Sequence, residues 1–430
     1  MVWFGVDNYL PRVIDGDLAV LLEHAPAIAL EGPKAVGKPE TLRRRASTIY
    51  SVDDESVRMA LEAAPTQLAE APPPVLIDEW QRLPMVWDLI RRMVDADRRN
   101  SRFLLAGSAA PVDAPVHSGA GRIINLRMRP LSLYERQLTD IHVSLAALLS
   151  GETPNVDGVS ALSLGDYMHE LVSSGFPAIR EMPAPVRDDL LDSYLERIAQ
   201  RDFPEQGHRV RRTHALRAWM RAYAAATSTI ASYNSIRDAA TPGDGEKPAR
   251  ATTEAYRNVL DELFILDPLS AWAPASNQLR RLSQAPTHHM ADPALAVRLL
   301  GLSEAQLLRG QQAGPHSLRD GNLLGRLFES LVVQSVRVYA QAARAHVYFL
   351  RTSRGEHEID IIVERSDGRV LAMEVKLTSK VTDEDVRHLR WLKNELGDEV
   401  LDAVVVTPGQ FAYRRPEDGI AVIPAAMLGP

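Results

Sequence analysis

The stretch Ala27-Ile-Ala-Leu-Glu-Gly32-Pro33-Lys34-Ala35-Val36-Gly37-Lys38-Pro39 decides how the chain is read. A short apolar run, Ala27 to Leu30, has the composition of a buried strand, and it leads directly into a turn whose second glycine is followed by lysine. Glycines at positions 32 and 37 let the backbone curl so that successive N–H groups point at one anion. The helical stretch expected from Glu40 to Ala46 adds its positive end, and Lys38 supplies a mobile ammonium for the outer phosphates. The residues Gly32 to Pro39 are therefore the expected phosphate cradle. Position 39 departs from the usual pattern, which places there a Ser or Thr hydroxyl that ligates Mg²⁺. Pro39 has no side-chain oxygen, but its fixed φ is tolerated in a first helical turn. The cradle survives and metal binding weakens; Thr41, two residues on, would point elsewhere on the helix. The plain alternative is a glycine-containing strand-to-helix turn with no ligand.

Working outward, Val75-Leu-Ile-Asp78-Glu79 is an apolar strand ending in two carboxylates. Next to a phosphate loop the two acids are expected to divide the work, Asp78 holding Mg²⁺ through water and Glu79 orienting or deprotonating the attacking water. A third strand, Phe103 to Ala106, ends in Gly107-Ser108, which makes Ser108 a candidate for sensing the γ-phosphate. Arg122 is a candidate to stabilise charge on the transferred phosphoryl group, the ordinary alternative being a surface ion pair.

The rest of the sequence bounds the problem. At 430 residues two or three domains are expected, and 45% apolar with 24% charged residues is ordinary globular material. The formal charge, 49 basic against 56 acidic residues or −7, excludes a globally basic nucleic-acid binder, so any such role needs a local patch. There is no cysteine, hence no disulfide, thiol nucleophile or iron–sulfur centre. Met1 to Ala25 lacks a basic stretch followed by a long apolar run, and no window of about 18 apolar residues occurs; a cytoplasmic protein without membrane contact is expected.

The segments Tyr9-Leu-Pro-Arg12, Leu30 to Lys38, Ile77-Asp-Glu-Trp-Gln81, Ala106-Gly-Ser108, Gly121-Arg122 and Pro130-Leu-Ser132 together resemble the stand-alone bacterial and archaeal AAA-type ATPases. Ser174-Gly-Phe-Pro177, Tyr194-Leu-Glu-Arg197 and Asp202 extend the likeness into the middle of the chain. The resemblance implies an α/β fold in three parts: a P-loop, AAA-like parallel-sheet domain (about 1–150), a helical and winged-helix region (about 151–310), and a restriction-endonuclease-like α/β domain (about 311–430). It implies ATP and Mg²⁺ as ligands and the roles already given to Lys38, Asp78, Glu79 and Ser108. A neighbouring subunit's arginine, hence a homo-oligomer, is a common requirement of such enzymes.

In the middle region, a helix, a short helix from Ser228 to Ala239 and a third from about Thr252 resemble a winged helix. In the third, Tyr256, Val259, Leu260 and Leu263 lie on one face and Glu254, Arg257 and Asp261 on the other. Arg201, Arg209, Arg211, Arg212, Arg217 and Arg221 form a local basic patch able to meet DNA phosphates. The mixed charges of the third helix point away from base reading, and a purely structural module is the alternative. His288 and His289 are adjacent and should point to opposite sides, not to a shared metal.

Near the carboxy terminus, Glu358-Ile-Asp360 and Glu374-Val-Lys376 flank Asp367-Gly368. If the loop is Ser366 to Gly368, Arg365 faces Arg369, and counting outward sets Asp360 opposite Glu374 with Cβ atoms about 5 Å apart, a repulsive pair unless a cation such as Mg²⁺ lies between. A two-residue loop would instead set Asp360 opposite Val375. The pattern resembles the PD-(D/E)xK nuclease core, which implies metal ligation by Asp360 and Glu374, water activation or charge stabilisation by Lys376, and an acid from the preceding helix at Glu329. The bland alternative is the wet face of an amphipathic hairpin. The leading expectation is thus an ATP-binding protein, a slow ATPase coupled to a DNA- or partner-binding region. Two alternatives stand beside it: a Mg²⁺-dependent nuclease with a nucleotide switch, and a non-enzymatic scaffold with a degraded ATP site.

Overall fold

The computed structural model describes residues 9–108, 119–140, 142–208, 210, 212–241, 247–274, 284–312, 318–352 and 355–430. In the amino-terminal part five strands, β1 (Ala27–Glu31), β2 (Thr48–Ser51), β3 (Val75–Asp78), β4 (Phe103–Gly107) and β5 (Ile123–Arg127), form a sheet of order β2-β3-β4-β1-β5. Every pairing in it is parallel. The inner strands are continuous apolar runs because both faces are covered. Ile28, Leu30, Leu76 and Leu104 pack with Ile14, Leu18 and Leu21 of helix Ile14–His24. The alternate residues Ala27, Ala29, Val75, Ile77 and Leu105 pack with Val86, Trp87, Ile90 and Val94 of helix Met85–Ala96. Each Val, Leu or Ile among them, when fully buried, contributes roughly 1.5–3 kcal/mol. The edge strands β2 and β5 carry exposed or part-buried residues, Ile49 and Ile124 among them, and so lack the apolar run that marks the inner three.

The middle region is helical. Helix Leu164–Ser173 opens on a capping box in which Ser163 and Asp166 exchange hydrogen bonds. Helix Ala184–Arg197 continues through a π-turn, Ile198–Asp202. Three helices follow, Thr213–Ala225, Tyr233–Ala239 and Arg250–Glu262, and then two extended stretches that meet at Leu266–Met290 and Leu269–Thr287. In the third helix Tyr256, Val259 and Leu260 are buried, with Leu263 just past its end. The glycine- and proline-rich stretch Thr241-Pro-Gly-Asp-Gly lies, beyond Thr241, outside the described residues.

The carboxy-terminal part runs helix Leu318–Ala342, β8 (His346–Arg351), β9 (Glu358–Glu364), β10 (Val370–Val375), helix Arg387–Leu396 and β11 (Val400–Thr407), then β12 (Phe411–Arg414) and β13 (Ala421–Pro424). Strands β8, β9 and β10 pair antiparallel, and β10 pairs β11 in parallel. The three-residue hairpin is the one adopted: Arg365 N–H donates to Arg369 O at 2.9 Å, and Met373 lies opposite Ile361. Carrying that register one residue further sets Asp360 level with Glu374.

The three parts are interleaved. β7 (Gly158–Val159) pairs with β12 at the edge of the carboxy-terminal sheet, while β14 (Leu428–Gly429) returns to pair with β6 (Val143–Ser144). Helix Leu318–Ala342 is also tied to the amino-terminal part, Gln334 donating to Pro130 O at 3.0 Å and Tyr339 Oη accepting from Tyr134 N–H at 3.0 Å. Among the described residues no helix is long and apolar enough to cross a membrane.

Candidate functional site

The loop after β1 is shaped by backbone conformations that side chains resist. Gly32 has φ 151, and a Cβ there would stand 2.2 Å from Met128 O; Gly37 has φ 102. Lys38 and Pro39 open a six-residue helix, Lys38–Arg43, shorter than the stretch expected. The Lys38 ammonium is buried and donates to Gly32 O at 2.7 Å and Pro33 O at 2.8 Å, folded back on its own loop. Burial pulls its pKa down to about 8, against the opposing pull of Glu79 and Asp78. Thr41 is buried with its hydroxyl 3.1 Å from Tyr9 Oη.

Because β1, β3 and β4 are parallel neighbours, their carboxyl ends converge, the usual place for ligands in such sheets. Asp78 is level with Ala106 in the register, and Ser108 follows one residue beyond the Glu31–Gly107 pair. Asp78 is buried, with Oδ2 3.4 Å from Arg43 and Oδ1 without a hydrogen-bond partner; burial, then Glu79, pushes its pKa up to about 6. The Ser108 hydroxyl is likewise buried and has no hydrogen-bond partner among the described residues. Glu79 adopts a left-handed backbone (φ 56), a strained conformation for a non-glycine, and its carboxylate accepts from Gln81 Nε2 at 2.6 Å. A buried acceptor and a buried hydroxyl left open at adjacent strand ends suit a hydrated cation and a phosphate better than a closed turn. Pro39 supplies no oxygen to that set.

A cavity of about 290 Å³ adjoins the loop, lined in part by Lys34, Ala35, Glu79, Arg82, Arg197 and Arg201. Lys34 is held from the middle region by Asp202 (2.6 Å) and Glu205 (3.1 Å). Arg82, Arg197 and this acidic clasp were not assigned to the site from sequence; the only signals were the Tyr194–Arg197 and Asp202 landmarks. Arg122 must be corrected. It precedes β5 at the end of the sheet opposite the loop, since Ile123 pairs with Ala27, and it is bound to Asp95 at 2.8 Å. Five residues of strand at about 3.3 Å each separate it from the phosphate cradle of its own chain.

The basic patch is partly neutralised. Arg201 pairs with Glu205 at 2.9 Å, and Arg217 lies 3.7 Å from both Asp192 and Glu196. Arg209 and Arg211 lie outside the described residues. His288 and His289 are core residues: His288 Nε2 contacts Ala231 O at 2.7 Å, and His289 sits between Thr287 and Ser330, its pKa lowered by burial to about 3.

In the carboxy-terminal part the ladder ends where the acids begin, and Val375 N–H donates to Asp360 Oδ2 at 2.8 Å. Glu374 is buried; Oε2 accepts from Lys376 Nζ at 2.7 Å, while Oε1 has no partner. Burial, then the neighbouring Asp360, raises the Glu374 pKa well above the usual range, and burial with the same Asp360 raises that of Glu329. Burial works against the charged Lys376, but Glu374 and Asp360 outweigh it and raise its pKa. Among the described residues no three His, Asp or Glu side chains are grouped so as to hold one metal ion. Two of the oxygens are already taken, one by a backbone N–H and one by Lys376. Sequence reasoning also missed His357, which stacks on Trp391 at 4.0 Å and contacts His388 at 3.1 Å.

With this geometry in hand, the likenesses to known proteins become informative. Residues 24–137 match a family described as an AAA domain. Residues 164–306 and 324–428 match two domains of unknown function, DUF8612 and DUF4143 respectively. Uncharacterized protein Rv2008c of Mycobacterium tuberculosis and uncharacterized protein Mb2031c of Mycobacterium bovis are each 27% identical over 415 residues, covering 95% of this chain and 82% of theirs. A solved structure, the Walker-type ATPase PABY2304 of Pyrococcus abyssi, aligns with a TM-score of 0.38 and 15% identity over 66% of this chain and 94% of that one. The parallel sheet, the loop after β1 and the AAA match place the amino-terminal part in the class of P-loop ATPase-like domains.

Proposed function

We propose that this protein binds ATP at Gly32–Pro39 and hydrolyses it slowly, and that the nucleotide state is passed to the middle and carboxy-terminal parts, which meet DNA or a protein partner in the cytoplasm. The observation that carries this reading is the pair of open polar groups, Asp78 Oδ1 and Ser108 Oγ, buried at strand ends beside the folded-back Lys38. On binding, Lys38 exchanges its loop carbonyls for phosphate oxygens. Glu79, aimed by Gln81, orients or deprotonates the attacking water, and Ser108 donates to that water or to the γ-phosphate. Asp78 would hold Mg²⁺ through water, and the ion would supply positive charge against the charge developing on the phosphates. Arg82, Arg197 and Arg201 take over in the same chain the charge-stabilising task first given to Arg122, unless a neighbouring copy supplies an arginine. The absent hydroxyl at position 39 keeps turnover slow. Calorimetric titration with ATP and ADP, with and without Mg²⁺, tests the reading; no heat with either nucleotide removes it.

A second reading has its own observation. The hairpin register brings Asp360 and Glu374 together with Glu374 Oε1 open, a pair that only a shared proton or a cation satisfies. We infer a divalent-cation site of Mg²⁺-dependent nuclease type, with Lys376 activating water and Glu329 bordering it. The helix, three-strand meander, helix and parallel strand around it support a restriction-endonuclease-like arrangement, and the three helices with paired extended stretches support a winged helix. Incubating single- and double-stranded DNA and RNA with Mg²⁺ or Mn²⁺ tests it: cutting that vanishes in Glu374→Ala supports it, and no cutting of any of them retires it.

A further inference from the structure

A second cavity, of about 580 Å³, lies where all three parts meet. Leu126, Arg127 and Arg129 border it from the amino-terminal part, Ser270 from the middle region, and Arg337, Arg344 and His346 from the carboxy-terminal helix and β8. Three of its arginines share one buried carboxylate. Arg129 Nε lies 2.7 Å, Arg337 Nη1 2.8 Å and Arg127 Nη2 3.2 Å from Asp267. Among the described residues Arg344 has only a long ion-pair contact, 3.9 Å, with Asp17, the one acid among the lining residues. Two carboxylates, Asp267 and Asp17, touch these four guanidinium groups, and Asp261 and Glu31 also act on Arg127 through space. Arg127 Nε is buried without a hydrogen-bond partner.

Like charges gathered in a concave, partly desolvated place are costly unless a counter-anion joins them, and arginine forks match phosphate oxygens in pairs. The volume is that of a nucleotide-sized ligand, and the cations converge on one hollow, whereas a nucleic-acid backbone calls for a stripe of them. We propose that this junction cavity is a binding site for a small oligophosphate anion, distinct from the phosphate loop. The site is wired to that loop. Arg129 O accepts from Arg12 Nη2 at 2.6 Å, and Arg12 Nη1 donates to Val36 O of the loop at 3.0 Å. Met128, between the two cavity arginines, donates to Glu31 O at 2.7 Å and backs onto Gly32. The occupant therefore biases the conformation of the loop, a coupling that rests on the ATP reading, whereas the site itself does not.

The test uses inorganic tripolyphosphate on full-length protein whose loop lysine has been removed, as Lys38→Ala or Lys38→Met, whichever folds. One equivalent should bind. Arg344→Gln, a change at an exposed position, and separately Arg127→Gln should each weaken binding about tenfold or more, with circular dichroism unchanged. No binding at millimolar tripolyphosphate, or binding untouched by both substitutions, overturns the proposal. So does a short single-stranded oligonucleotide that displaces tripolyphosphate at a hundredfold lower concentration, because the hollow would then be part of a nucleic-acid track. Failure of the ATP reading would show separately, as wild-type protein that takes up tripolyphosphate in the cavity but no ATP.

Discussion

Lys38 and Lys376 both carry an ammonium into a sheltered place near two carboxylates, yet their surroundings push them in opposite directions. Lys38 is bonded to backbone carbonyls of its own loop, and burial lowers its pKa to about 8. Lys376 is bonded to Glu374 with Asp360 close by, and its pKa is raised. Dipoles hold a cation without paying for its desolvation; full negative charges over-compensate it. The first arrangement is short of negative charge and the second has an excess of it. The first is the setting that the proposed ATP site needs, and the second the setting that the proposed cation site needs.

The comparison can be broken or sharpened by experiment. The largest effect should come from Glu79→Gln, which keeps the side chain's shape but removes the base: phosphate release should fall about 10²- to 10³-fold while ATP binding is retained, measured by steady-state release and calorimetry. Equal loss of binding would mean that Glu79 is structural. Lys38→Ala should weaken ATP about a hundredfold, the value of a charge-assisted contact of about 3 kcal/mol; the matching change at the other site, Lys376→Ala, should leave ATP affinity untouched. A shared loss would join the two sites and end the contrast.

The pH dependence of nucleotide binding should follow the sign of the Lys38 shift. The free lysine loses its proton as pH rises through about 8, whereas phosphate-bound lysine keeps it, so binding takes up a proton above that pH. ATP affinity should fall roughly tenfold between pH 7 and 9, and heats measured in buffers of different ionisation enthalpy should show the uptake. A flat profile would mean that the ammonium does not meet the phosphates. The smallest effect is expected of Pro39→Thr, which restores the missing hydroxyl: Mg²⁺-dependent hydrolysis should rise severalfold, and an unchanged rate would show that something else limits turnover.

Much of both sites was legible before any fold was known, for a common reason. The loop Gly32–Lys38 is read by local backbone need, and the Asp360–Glu374 juxtaposition follows from counting outward from one tight turn. Arg122 was misplaced because a residue in the right order along a sequence can still sit at the wrong end of a strand, as the Ile123–Ala27 pairing shows. Part of the basic patch, Arg201 and Arg217, is paired with acids for a related reason. Charge counted along the chain takes no account of acids such as Asp192 and Glu196 on a neighbouring helix. Strands β2 and β5 escaped notice because edge strands lack the two-sided burial that makes a run apolar.

The sequence by itself determined what depends on neighbours a few residues apart: a phosphate loop with its lysine, an acidic pair closing a strand, and a hairpin register that faces one carboxylate with another. Only the tertiary structure decided which distant groups complete those pieces. Lys34 meets Asp202 across 168 residues, and Arg129 meets Asp267 across 138. Such contacts are set by how helices and sheets pack, and packing responds to the whole apolar surface of the chain, so no local spacing encodes it.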